Sequence, residues 1–145
     1  MNSRGFWFFI LVVLLVVGAT DVFAKRVQHE AVHNEAFCLL HEGRAEAPNS
    51  DGTRTDCLTL THAIEADFAE KWYESVGQAG HYAMEHKRLP GIFLIIEYAW
   101  QCKHYARAIK SIPRFHVLAY TGRMVRFTIW VEGYEENCRG AEVER

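Results

Sequence analysis

The sequence predicts one α/β domain built on a mixed β-sheet, and three observations carry that expectation. Helical periodicity appears at three places, separated each time by strand-like runs. The turn chemistry of Pro48-Asn49-Ser50-Asp51-Gly52 joins two short extended segments early in the chain. Gly91 to Tyr98 (GIFLIIEY) is an apolar run rich in Ile and Phe, the composition of a central strand covered on both faces.

The elements follow in order. Residues 1–24 read as a secretory signal: Arg4 gives a positive start, Phe6 to Val17 is apolar, and Val22-Phe23-Ala24 offers small residues to a signal peptidase. The apolar run is shorter than the roughly 20 residues that span a bilayer. Cleavage after Ala24 is therefore expected over retention as an anchor, leaving no stable membrane span. The mature chain, Lys25 to Arg145, is the size of one domain, exported to a periplasm or secreted.

Glu30 to His41 predicts a helix with Val32, Ala36, Leu39 and Leu40 on its apolar face and Gly43 as its stop. Arg44 to Ala47 and Thr53 to Leu58 form the first hairpin. His62 to Phe68 is a third strand, with Ile64, Ala66 and Phe68 inward and Glu65 and Asp67 outward. Glu70 to Lys87 is a long helix closed by Pro90-Gly91, its Trp72, Val76, Ala79 and Ala83 packing on the sheet. After the strand from Gly91 comes a helix from Gln101 to Ile112, stopped before Pro113. Phe115 to Tyr120 and Arg123 to Val131 read as strands joined at Thr121-Gly122. The tail from about Gly133 is polar and expected to be flexible. The predicted order is α-β-β-β-α-β-α-β-β.

Four cysteines in an exported chain point to disulfides, and the absence of a CxxC spacing argues against a zinc knuckle. Cys38–Cys57 is the favoured pair, clipping the first helix to the hairpin; Cys102 and Cys138 are left to pair or stay free. Charge is unevenly distributed. Between Glu30 and Glu74 ten acids face only Arg44, Arg54 and Lys71. Between Lys87 and Arg126 eight Lys and Arg residues face Glu97 alone. An acidic half suited to metal beside a basic half suited to a polyanion fits phosphodiester chemistry, although a charge run is also the ordinary solvated face of a helix.

The most informative segment is Arg54 to Phe68. A hairpin turn centred on Leu60 and Thr61 puts Asp56 opposite Glu65, with Asp67 on the same face as Glu65. Carboxylates about 5 Å apart repel by about 3 kcal/mol at an effective dielectric near 20. A cation or a shared proton relieves that repulsion, which makes a divalent-metal site one reading and solvated turn acids the other. Glu46 on the first strand comes near Asp56 when the first hairpin folds about Ser50. Lys71 starts its helix just after Asp67 and shares a stripe with Gln78 and Tyr82. His62 is the histidine nearest the acids in sequence, either a supporting general base or a solvated turn residue.

This α-β-β-β-α-β order, with an acid preceding the motif, Asp56 on the second strand and Glu65 on the third, resembles the PD-(D/E)XK nuclease superfamily. Restriction endonucleases and Holliday-junction resolvases share its three-layer fold. The resemblance implies a metal-dependent phosphodiester hydrolase using Mg²⁺ or Mn²⁺, with nucleic acid as partner and pairing into a homodimer. Asp56 and Glu65 match the two motif acids, Glu46 the acid before them, and Gln78 the helix position. The motif lysine should fall at position 67, where this chain has Asp67. Either Lys71 replaces it, with Asp67 as an added metal ligand, or the fold persists as a catalytically inactive binding protein for nucleic acid or an envelope partner. Asp56, Glu65 and Lys71 are the expected catalytic residues. Lys87, Arg88, Lys103 and Arg107 are the expected phosphate contacts.

Overall fold

The computed structural model describes residues 29–140, so the signal segment at 1–24 and the last five residues lie outside the description. The order begins with α1 (Glu30–Leu40), β1 (Arg44–Pro48), β2 (Arg54–Leu58) and β3 (His62–Phe68). A 3-10 turn, Ala69–Lys71, leads into α2 (Trp72–His86), followed by β4 (Leu89–Ile95). A second 3-10 turn opens α3 (Cys102–Ser111), then come β5 (His116–Leu118), β6 (Met124–Arg126), β7 (Thr128–Glu132) and α4 (Tyr134–Asn137).

Five strands form a mixed sheet in the order β1-β2-β3-β4-β7. The two hairpins at its start are antiparallel, whereas β3, β4 and β7 are mutually parallel. The crossover from β3 to β4 is α2, as parallel pairing requires. One face of the sheet packs Ile64, Ala66, Phe93 and Ile95 against Phe37 and Cys38 of α1. The other packs Ile92 and Leu94 against Ala79 of α2 and Ala108 and Ile112 at the end of α3. Ile92, Leu94 and Ile95 are fully enclosed, as expected for a central strand.

Several expectations are corrected. The single strand expected over Arg123–Val131 is two, because the chain crosses at Phe127 from an outer β5–β6 hairpin into the main sheet. Phe127 itself packs beside Ile92 and Leu94, so the crossing point is anchored by its burial. The tail is not loose at its start: α4 follows Gly133, and Cys138 is bonded to Cys102. Helix α1 is rotated from the predicted face. Asn34, Phe37 and Cys38 are buried, while Leu39 and Leu40 are about four-fifths exposed. The Cys38–Cys57 bond forms as expected and fixes that rotation, since it must point Cys38 at β2.

A carboxylate site between the sheet and two helices

A tight turn builds the centre of the site. Thr59 N–H donates to the His62 carbonyl at 2.9 Å, leaving Leu60 and Thr61 as the loop. Cys57 pairs with Ile64 and Leu58 with Ala63, so one step further Asp56 stands opposite Glu65. Asp56 Oδ2 accepts the Ala66 amide at 2.8 Å, and the Asp56 carbonyl accepts Asn34 Nδ2 at 2.8 Å. Helix α1 thereby braces the strand that carries the first acid.

Glu65 and Asp67 do not face outward into water as the alternation suggested; both are only 5 % exposed. Helix α2 covers that face of β3, which a strand pattern alone cannot reveal. Glu65 Oε2 has no hydrogen-bond donor among the described residues. The Asp56 carboxyl lies beside Glu65, and its charge and hydrogen bond favour the protonated form of Glu65. Burial, then the Asp56 charge, push Glu65 up to about 10. Burial also raises Asp56, against the lowering effect of the Ala66 amide. Tyr82 on α2 is buried near the pair, its hydroxyl pushed up to about 12 by burial and by the charges of Glu65 and Asp56.

At the carboxyl end of β3, Lys71 Nζ lies 3.0 Å from Asp67 Oδ1 and 3.9 Å from Glu30 Oε2. Lys71 therefore projects into the acids from the 3-10 turn. Glu30, in the first turn of α1, is pushed up to about 7 by burial and by the charge of Asp67. The sequence reading missed Glu30. Its signal was present: Glu30, Asn34 and Cys38 recur at i, i+4 and i+8, so a disulfide-directed Cys38 turns Glu30 towards the sheet as well.

The remaining expected residues divide. Glu46 is exposed and ion-pairs with Arg54 at 3.5 Å. The register on either side (Ala45 with Cys57, Ala47 with Thr55) puts it beside Asp56, but a φ of 52° turns it out of the ladder. Gln78 is exposed while Tyr82 is buried, so the proposed stripe with Lys71 does not present one face to the acids. His62 is not with the acids. It lies at the opposite end of β3 from Asp67, its ring nitrogens bonded to Thr61 Oγ1 (2.8 Å) and Thr128 Oγ1 (2.9 Å), edge-on to Trp130. Lys87 and Arg88 follow the end of α2, about 22 Å along the helix from Lys71. Lys103 and Arg107 are exposed on α3, whose start is tied to the Lys71 turn by Gln101 Nε2 donating to Glu70 at 2.7 Å.

A second charged group closes the carboxyl ends of β4 and β7. His33 on α1 bridges Glu97 Oε1 through Nε2 and Glu132 Oε1 through Nδ1, each at 3.0 Å. Those hydrogen bonds raise His33 despite its burial.

The carboxylates of Glu30, Asp56, Glu65 and Asp67 are hard oxygen donors, the chemistry that suits Mg²⁺ or Mn²⁺. The buried, partnerless Glu65 Oε2 fits such an ion. Yet among the described residues no three His, Cys, Asp or Glu side chains are gathered to hold a metal as they stand. Lys71 offsets the charge of Asp67 and Glu30, and burial favours the protonated forms of Glu65 and Glu30. Comparisons with protein-family models, curated proteins and solved structures find no match to this chain. What the geometry defines is a disulfide-bonded α/β protein with helices on both faces of a mixed sheet and a buried carboxylate cluster. The two disulfides fit an oxidising, exported setting.

Proposed function

We propose that this chain is a Mg²⁺- or Mn²⁺-dependent phosphodiester hydrolase of the restriction-endonuclease-like type, acting on nucleic acid outside the cytoplasm. The observation that carries the reading is the apposition of Asp56 and Glu65 across β2 and β3, with Asp67 and Lys71 at the end of the same strand. Uncompensated burial of several acids costs stability, and sites keep such groups where their chemistry is used. The α-β-β-β-α-β order supports the same reading.

In this proposal Asp56, Glu65 and Asp67 hold the cation, with Glu30 taking the supporting place first assigned to Glu46. When bound, the ion neutralises charge on the phosphoryl oxygens and makes a bound water more acidic. Lys71 would stabilise negative charge developing at the phosphoryl group and orient the attacking water, the work of the motif lysine displaced from position 67. Tyr82, its hydroxyl held protonated by burial, borders the Asp56–Glu65 pair. Lys103 and Arg107 are closer to this end of the sheet than Lys87 and Arg88, and take the phosphate-contact role.

The alternative is an inactive protein of the same fold that binds nucleic acid or an envelope protein. It is favoured by the burial of Glu65 beside Asp56, which raises Glu65 and lets a proton rather than a metal neutralise the pair. Incubation with supercoiled plasmid, with and without Mn²⁺, separates the two. The hydrolase reading expects metal-dependent nicking that disappears in Asp56→Asn and Glu65→Gln. Intact plasmid together with retained DNA binding leaves the inactive reading standing.

A further inference from the structure

We propose that the β5–β6 hairpin and the adjoining outer face of α3 form a docking surface for an anionic phospholipid membrane. Residues 98–131 contain six Lys and Arg side chains and no Asp or Glu. Lys110 lies on the exposed side of α3 at its hairpin end, with Arg114 following it and Arg123 and Arg126 on the hairpin; Lys103 and Arg107, nearer the start of α3, are left to the phosphate contacts of the carboxylate site. Among the described residues none of the six forms an ion pair, whereas Arg54, Lys71 and Arg139 do.

The hairpin register explains how this surface is presented. Val117 pairs with Val125 and points inward, where a side chain at Gly80 of α2 would meet Val117 at 3.5 Å. The pairs on either side, His116 with Arg126 and Leu118 with Met124, consequently point outward. Leu118, Met124 and Tyr120 are all more than half exposed, and Phe115 is nearly so. Arg126 Nε donates to His116 Nε2 at 3.3 Å, which ties the two residues of that outward-facing pair together.

Two features select the partner. Apolar Leu118 and Met124 beside aromatic Phe115 and Tyr120 gain nothing from a phosphodiester backbone. They match the boundary between headgroups and acyl chains, while the surrounding cations match anionic headgroups. The surface is also remote from the acids. Gly80 and Tyr82 project about 200° apart around α2, so the hairpin and the Asp56–Glu65 pair occupy opposite sides of that helix. A membrane held at the hairpin leaves the carboxylate cluster clear, and the proposal does not depend on hydrolysis.

Hydrogen–deuterium exchange of the full chain, read peptide by peptide, tests it and separates the hairpin from any contribution of the apolar N-terminal run. Phosphatidylglycerol vesicles are expected to slow exchange across residues 114–126 several-fold, and phosphatidylcholine vesicles are not. Arg123→Glu with Arg126→Glu should abolish the slowing while exchange in β3 and β4 is unchanged, which shows the variant folded. Leu118→Ser with Met124→Ser should weaken it in the same segment. Unchanged exchange on anionic vesicles, equal slowing on neutral ones, or stronger slowing by duplex DNA overturns the proposal. So does slowing that grows with protein concentration alone, the mark of self-association.

Discussion

Asp56 and Glu65 face each other from paired antiparallel strands, and burial beneath helix α2 together with the Asp56 charge favours the protonated form of Glu65. This arrangement links the stability of the fold to pH and its chemistry to cations.

The pH dependence has a definite sign. Glu65 is raised from 4.5 to about 10, so the folded state binds its proton more tightly than the unfolded chain does. The associated stability is complete below about pH 4.5 and is lost as pH rises towards the folded value. Glu65→Gln keeps the hydrogen bond to Asp56 and removes the ionisation. We expect it to raise the melting temperature at neutral and alkaline pH and to flatten the profile, measured by thermal melts across that range.

A divalent cation bound at this pair would displace the proton that burial favours on Glu65. Binding of Mn²⁺ to the wild-type protein should therefore release protons, detected by calorimetry in buffers of different ionisation enthalpy. The same ion should raise the melting temperature, by mass action on the native state. Both signals are expected to vanish in Asp56→Asn. A proton-neutral, weak interaction would place the ion elsewhere.

Lys71 separates structure from chemistry. Its amine is half exposed, but Asp67 is almost fully buried and loses its cation when Lys71 is removed, so the cost exceeds the roughly 1 kcal/mol of an exposed pair. Lys71→Met should thus melt several degrees below the wild type while remaining folded at room temperature. If the proposed hydrolysis operates, its rate should fall by about 100-fold or more, because a lost proton-transfer or charge-stabilising group typically costs that much. Lys71→Arg should restore the melt and only part of the rate.

The disulfides carry different loads. Cys38 and Cys57 close a loop with a separation of 19 residues, and Cys102 and Cys138 one of 36. Chain entropy assigns each about 3–4 kcal/mol. Cys38→Ser with Cys57→Ser should lower urea stability by about that amount and also loosen the placement of Glu30, returning its titration towards an ordinary carboxylate. Gly43→Ala tests the same region independently. A Cβ there would stand 2.6 Å from Cys57 Sγ and 2.7 Å from Cys38 Sγ, so it should destabilise the oxidised protein and spare the reduced one.

Much of this molecule could be read along the chain because its signals are local. The turn at Leu60 and Thr61, the buried run before Glu97 and the helix ahead of Pro90 each depend on residues a few positions apart. The Asp56–Glu65 pairing is of this kind too, since a two-residue loop fixes register over a short hairpin. The Cys38–Cys57 bond and the antiparallel start of the sheet were legible for the same reason.

Other features depended on groups distant in sequence. Phe127 looked like one more residue in an alternating strand, but a buried place against β4 turns it into a crossing point between sheets. His62 looked close to the acids by number, yet it sits at the far end of β3, on the face away from them.

The chain alone determined the α/β class, the first hairpin and the opposition of Asp56 to Glu65, because backbone periodicity and turn chemistry act over a few residues. Only the tertiary structure decided that Glu30 joins the acids, that Glu65 and Asp67 are shielded, and that the basic hairpin lies behind α2. Those outcomes follow from how α1 and α2 rotate as they pack against the sheet, and that rotation is set by contacts many residues apart.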